Sequence, residues 1–222
     1  MKTTIQLLSA TLLLGTSLMT NAQSAGTWMG RLGVTHIAPQ VSSGTMTAPS
    51  FPNTQTDVGA ASQLSGGVTY MYTDNWSVDL PLALPFKHKL YGAGALAGAG
   101  QIGETNALPL TVFGQYRLNK ASSAFRPYAG LGLTYAYFFN ETGNSTLTAT
   151  TNPGGQPTRL SIESKFALTP QIGFSYTLTD KWLLDVSLNK TYLKTRTTLS
   201  TGQTIDTTLN PYTFSLGLGM KF

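Results

Sequence analysis

Residues 98–103, GAGQIG, spell G-x-G-x-x-G, the glycine spacing with which a strand-to-helix turn cradles a pyrophosphate. That chemistry needs a buried strand before it, a helix after it and an acidic residue about 20 positions further on. Here Lys87-His88-Lys89 precedes, a strand containing Pro109 follows, and the first acidic residue after Glu104 is Glu141. The glycines are therefore read as loop and no cofactor is expected. Two readings of the loop stay open: a mobile linker, or an apolar border to an opening, formed by Leu96 and Ile102. The two histidines, His36 and His88, fall at outer strand ends or in loops, and no G-x-S-x-G nucleophile elbow occurs. His36 reads as an interfacial side chain and His88 as a loop anchor or a residue at a mouth. No catalytic residue is expected, and with no cysteine in the chain there is no thiolate metal site. Lysines and arginines are scattered, which argues against a nucleic-acid partner.

The remaining chemistry lies in five ionisable residues, Arg31, Asp79, Arg117, Asp185 and Lys221, and the elements that must position them have a period of two. Only 10% of the 222 residues are charged, against about 25% in soluble chains. Apolar residues recur at every second position in eight segments: Trp28–Thr35, Gln63–Tyr72, Trp76–Leu84, Leu108–Arg117, Ala129–Phe139, Phe166–Leu178, Trp182–Asn189 and Tyr212–Phe222. Their connections alternate strictly. Residues 73–75, 119–124 and 179–181 are short turns, whereas 36–61, 87–104, 140–164 and 194–208 are long and rich in Gly, Pro, Ser and Thr.

Short turns at one end and long loops at the other describe an outer-membrane barrel. Lipid offers no partner to backbone N–H and C=O groups, so strands that cross it must close on themselves. The expectation is an all-β fold: one eight-stranded antiparallel transmembrane β-barrel over residues 23–222. Lys2, the apolar stretch Ile5–Met19 and the small-residue site Thr20-Asn21-Ala22 read as an export signal cleaved after residue 22. Aromatic side chains fall at both ends of the strands: Tyr72, Trp76, Tyr116, Tyr176, Trp182 and Phe222 near the periplasmic end, and Tyr137, Phe139, Tyr192 and Tyr212 near the external end. A lipocalin-like soluble barrel would need more charge to coat its exterior.

Strand parity then places side chains. Arg31, Asp79, Arg117, Asp185 and Lys221 face inward in the lower lumen, where lone charges must pair. Arg31 and Arg117 are expected to bind Asp79 and Asp185 in a polar plug. Above them Pro81, Ala83, Pro85, Pro109, Phe113, Ala136, Phe138, Ala167 and Leu193 have inward parity and form an apolar funnel. Pro81, Pro85 and Pro109 lie on adjacent strands and cannot donate to a ladder. They either merely end pairing or loosen the wall enough for a solute to leave sideways.

Several strings, in order, resemble the OmpW family and its AlkL-type alkane-uptake relatives: TYMYTDNWSVDL (69–80), LPFKHK (84–89), LPLTVFGQYRL (108–118), FRPYAGLGLTYAYFF (125–139), DKWLLDVSL (180–188) and NPYTFSLGLGMKF (210–222). The resemblance implies a barrel in the outer-membrane lipid with a narrow, partly hydrophobic interior that passes small hydrophobic solutes; ion conduction is also attributed to such proteins. It further implies that Phe222 looks like the signal read by the barrel-assembly machinery. A barrel whose loops bind partners, and a lipid-modifying barrel enzyme, are the competing expectations.

Overall fold

The computed structural model describes residues 23–222; the export signal expected in residues 1–22 lies outside them. In chain order the elements are β1 (Trp28–Ala38), β2 (Ser42–Ser43), β3 (Thr54–Val58), β4 (Ala61–Met71), β5 (Trp76–Ala83), β6 (Phe86–Gly94), β7 (Gln101–Arg117), β8 (Phe125–Gly143), α1 (Ser145–Thr151), β9 (Leu160–Ile162), β10 (Lys165–Thr177), β11 (Trp182–Lys190), β12 (Lys194–Leu199), β13 (Thr204–Thr208) and β14 (Tyr212–Lys221). β1 pairs with β4 and β14, and the pairing runs on through β5 and β6, β7, β8, β10 and β11 back to β14. β5 and β6 together form one broken stave, so the closed wall has eight staves, all antiparallel.

The alternation written in the sequence becomes a two-faced wall. Leu32, Leu64, Leu82, Leu110, Leu131 and Leu168 point outward and are exposed, while Thr35, Thr69, Asp79, Gln115, Arg117 and Thr169 on the same staves are buried. An exterior this apolar is unstable in water and stable in a bilayer. Aromatic rings pack across neighbouring staves at both ends. Trp76 meets Tyr116 at 5.0 Å and Trp28 meets Tyr70 at 4.7 Å near the short turns, and Tyr135 meets Phe166 at 4.8 Å nearer the long loops.

The long connections are more ordered than the composition suggests. β7 and β8 run past the other staves to Gly103 and Gly143, and β2, β13, β12 and β9 form a second sheet above the mouth. Thr-rich segments such as KTRTTL and TIDTT read as loop because alternating Thr and charge carries no apolar signal, yet they pair residue for residue from Lys194↔Thr208 to Thr198↔Thr204. Two of the GAGQIG glycines form the return of the β6–β7 hairpin: Gly98 and Gly100 have φ of +87° and +74°, conformations that favour glycine. Gly103, also read as loop, lies within β7 instead, paired to Leu90 and Gly143. α1 starts at Asn144, whose side chain accepts from the Leu147 amide. This turn drives Leu147 down into the mouth, where it is 1% exposed.

Candidate functional site: a capped apolar cavity over a polar floor

Inside the barrel the structure is layered. The upper lumen and the cap enclose a cavity of about 110 Å³. Leu90, Ile102, Phe138, Leu147, Leu193 and Ile205 are among the side chains that form its wall. Ile102 thus belongs to the cavity, whereas Leu96 is buried within the hairpin. Below lies a smaller space of about 70 Å³, bordered by Pro81, Ala83, Phe86, Phe113 and Asn189. Pro109, Ile37, Thr191 and Thr213 line both spaces, so the two meet at the level of Pro109. Phe113 is 1% exposed and lies over Gly132, where a Cβ would stand 2.6 Å from the ring. Ala136, Ala167, Phe138 and Leu193 are buried toward the upper space, and Pro85 lies half-buried at the break between β5 and β6.

The floor is a network rather than two simple ion pairs. Arg31 donates to both carboxylate oxygens of Asp79, at 2.6 and 2.7 Å, and Thr69 Oγ1 adds a bond of 2.6 Å to Oδ1. Arg31 Nε stands 3.9 Å from Asp185, whose Oδ1 accepts from the Tyr128 hydroxyl at 3.1 Å. The expected Arg117–carboxylate pair does not form. Arg117 donates instead to Ser77, Gln115, Ser175 and Gln23, and its guanidinium lies 4.7 Å from the centre of the Tyr128 ring. The reason is local: Gln115 is two residues away on the same inward face, and Gln115 is itself tied to Gln171 across the lumen at 2.7 Å. A ring of neutral oxygens satisfies the fork without a second buried anion.

Gln23 completes this floor and carried no alternation to reveal it. It is 1% exposed, bonds Ser175 and Arg117 through its carboxamide, and accepts from Arg126 through its backbone oxygen at 2.7 Å. Lys221 is buried at the same end, opposite Met29 on β1. There Met29, Met71 and Leu183 form a small apolar cluster.

The hydrogen-bonded ladder of the wall is interrupted on one side. β5 pairs with β7 only from Trp76↔Tyr116 to Asp79↔Phe113, and pairing resumes with β6 at Phe86↔Ala107. Residues 80–85 therefore have no ladder partner on β7, although residues 77–83 stay paired to β4. Hydrogen-bond direction explains the gap. The Leu84 amide donates to Leu64 on β4, so even-numbered amides of this stave point to β4 and odd-numbered ones to β7. The Arg117 amide donates to Asn75, so odd-numbered amides of β7 point back to β5. Pro81 and Pro109 thus remove donors on the two facing edges. Seven residues separate Asp79 from Phe86 and six separate Phe113 from Ala107, so the register slips by one across the gap. That slip reverses the parity: Pro81 and Ala83 face the lumen below it, and Phe86, His88 and Leu90 face it above. Leu82, which points outward, also borders the lower space.

A closed, eight-stave antiparallel barrel with an apolar exterior, short turns at one end and a capped mouth at the other is a transmembrane barrel of the bacterial outer membrane. The model of the OmpW family matches residues 24–222, and the chain belongs to that family. It is 36% identical to outer membrane protein W of Vibrio cholerae over 90% of this chain and 91% of that one. It is 25% identical to outer membrane protein AlkL of Ectopseudomonas oleovorans over 78% and 71% of the two chains. Among solved structures, OprG of Pseudomonas aeruginosa superposes with a TM-score of 0.82 at 27% identity, covering 91% of this chain and 99% of that one.

Proposed function

We propose that the barrel admits small hydrophobic molecules from outside the cell into the capped cavity and releases them sideways into the membrane between β5 and β7. One observation carries this reading: the stretch of wall without a β5–β7 ladder, at residues 80–85 and 108–112, lies beside the lower space, which opens upward into the apolar cavity and is bounded below by the polar floor. A solute moving straight down would have to displace the bidentate Arg31–Asp79 pair and the Arg117 bonds. Breaking a buried pair by removing one partner costs about 3–5 kcal/mol, and an apolar solute offers nothing in return. Leaving through the wall spares those bonds, because Pro81, Leu82, Ala83 and Phe113 border the lower space at the gap.

In this reading Pro81, Ala83, Pro85, Pro109 and Phe113 shape the exit, Phe138 and Leu193 line the entry chamber, and Arg31, Asp79, Arg117, Asp185 and Lys221 seal the floor. The test is entry of a graded panel of solutes into cells that carry or lack the protein. Hydrophobic members enter faster with the protein, while polar members of equal size do not. Equal acceleration of both sets identifies an aqueous pore and rejects the proposal.

A further inference from the structure

The upper cavity is lined by one imidazole among apolar and threonine side chains. His88 is 4% exposed and, among the described residues, is the only titratable side chain lining this space. Its Nδ1 lies 2.7 Å from the backbone oxygen of Gly59. A carbonyl oxygen can only accept, so Nδ1 carries the proton and, in the neutral ring, Nε2 is a bare acceptor. Burial favours that neutral form by pulling the imidazole below its ordinary value, against the opposing effect of the Gly59 bond. Among the described residues nothing bonds to Nε2. Thr105, Thr134, Thr191 and Thr195, which share the lining, are engaged with protein partners. Thr207 Oγ1, also in the lining, is buried without one.

An otherwise apolar pocket with a few placed polar groups selects orientation and kind of ligand rather than bulk hydrophobicity. An acceptor in an apolar cavity that has no protein donor gains a hydrogen bond from a ligand that supplies one. We infer that this cavity is a binding site for small hydrophobic alcohols and phenols, whose single O–H donates to His88 Nε2. The inference rests on the proposal that hydrophobic solutes occupy this cavity, and it names the class preferred among them. A pure hydrocarbon fills the same space but leaves Nε2 unpaired. An ether brings an oxygen that only accepts, which Nε2 cannot use.

The test is binding of p-cresol, 4-methylanisole and toluene to the whole protein in lipid nanodiscs, each corrected for partition into protein-free nanodiscs. A net neutral hydrogen bond is worth about 0.5–1.5 kcal/mol, so p-cresol is expected to bind roughly two- to tenfold more tightly than the other two. His88→Phe abolishes the preference while toluene still binds. His88→Gln, which can donate to Gly59 and keep an acceptor, retains it. In the wild-type protein the ¹⁵N resonance of His88 Nε2 shifts on saturation with p-cresol and stays in place with 4-methylanisole, a readout that needs no variant to fold. Equal binding of all three with an unmoved Nε2 resonance overturns the assignment and leaves uptake of hydrophobic solutes standing. Binding of none of them overturns both.

Discussion

Replacing Asp79 by Ala leaves the Arg31 guanidinium in the floor of the barrel without its main counter-charge. Asp79 is fully buried, takes two short bonds from Arg31 and a third from Thr69, and so neutralises a side chain that is itself only 15% exposed. Asp185 stands 3.9 Å from Arg31 Nε and already holds Tyr128, so it replaces only part of the loss. Orphaning one member of such a pair costs about 3–5 kcal/mol, whereas replacing both members with apolar residues of similar volume is neutral or stabilising by up to about 4 kcal/mol. Asp79→Ala is therefore expected to lower the unfolding free energy by that first amount, and Arg31→Met/Asp79→Leu to recover it. Denaturant unfolding in lipid vesicles, followed through Trp28, Trp76 and Trp182, measures both. The double variant should also keep hydrophobic uptake, because the proposed path leaves the lumen above this layer. A loss below about 1 kcal/mol in Asp79→Ala would show that water already solvates Arg31, and the floor would not be a dry seal.

Three further outcomes follow from the same geometry. Gln23→Ala removes the carboxamide that ties Arg117 to Ser175, so planar-bilayer recordings should show a higher ion conductance; an unchanged trace rejects Gln23 as part of the seal. His88 pairs with Thr105, one position beyond the level of Phe139 in the external aromatic belt, and burial holds its pKa below the ordinary 6.5. The folded state then binds fewer protons than the unfolded one, so its contribution is complete above about pH 6.5 and is lost as the pH falls through the lower folded value. Unfolding free energy should decline below that pH in the wild type and decline less in His88→Phe; identical profiles contradict the assignment. Phe222→Ala should reduce the amount of folded barrel in cells more than it changes stability after refolding in vitro. Phe222 is 68% exposed, while its backbone bonds to Trp28, which close β14 onto β1, survive the change; equal losses in both assays would make the residue purely structural.

Much of the wall was legible because burial in lipid and burial in the lumen alternate residue by residue, so Leu32 and Leu82 could be told from Arg31 and Asp79 by parity alone. Parity failed where the strand broke. Carried across Pro85 it makes residue 85 the inward one, whereas the one-residue slip turns Phe86 and His88 inward. A proline marks such a break without telling its phase. Counting charges paired Arg117 with an acid, but hydrogen-bond capacity decided its partners, and Gln115, Gln23, Ser77 and Ser175 supply that without formal charge. Gln23 lies before the first alternating segment, so no period pointed to it. The cap was hidden for a similar reason: its strands are Thr-rich, and their few apolar residues, Leu199 and Ile205, make sense only once β12 and β13 pair over the mouth.

Closing the gap between β5 and β7 tests whether solutes leave there. The chain has no native cysteine, so Leu82→Cys/Leu110→Cys places the only two thiols on the facing edges of the unpaired stretch. Bridging them with a short bifunctional thiol reagent and measuring hydrophobic uptake before and after gives the answer. Bridged protein should lose uptake, each single-cysteine variant treated alike should keep it, and cutting a reductively cleavable bridge should restore it. Undiminished uptake through the bridged barrel would contradict the lateral route.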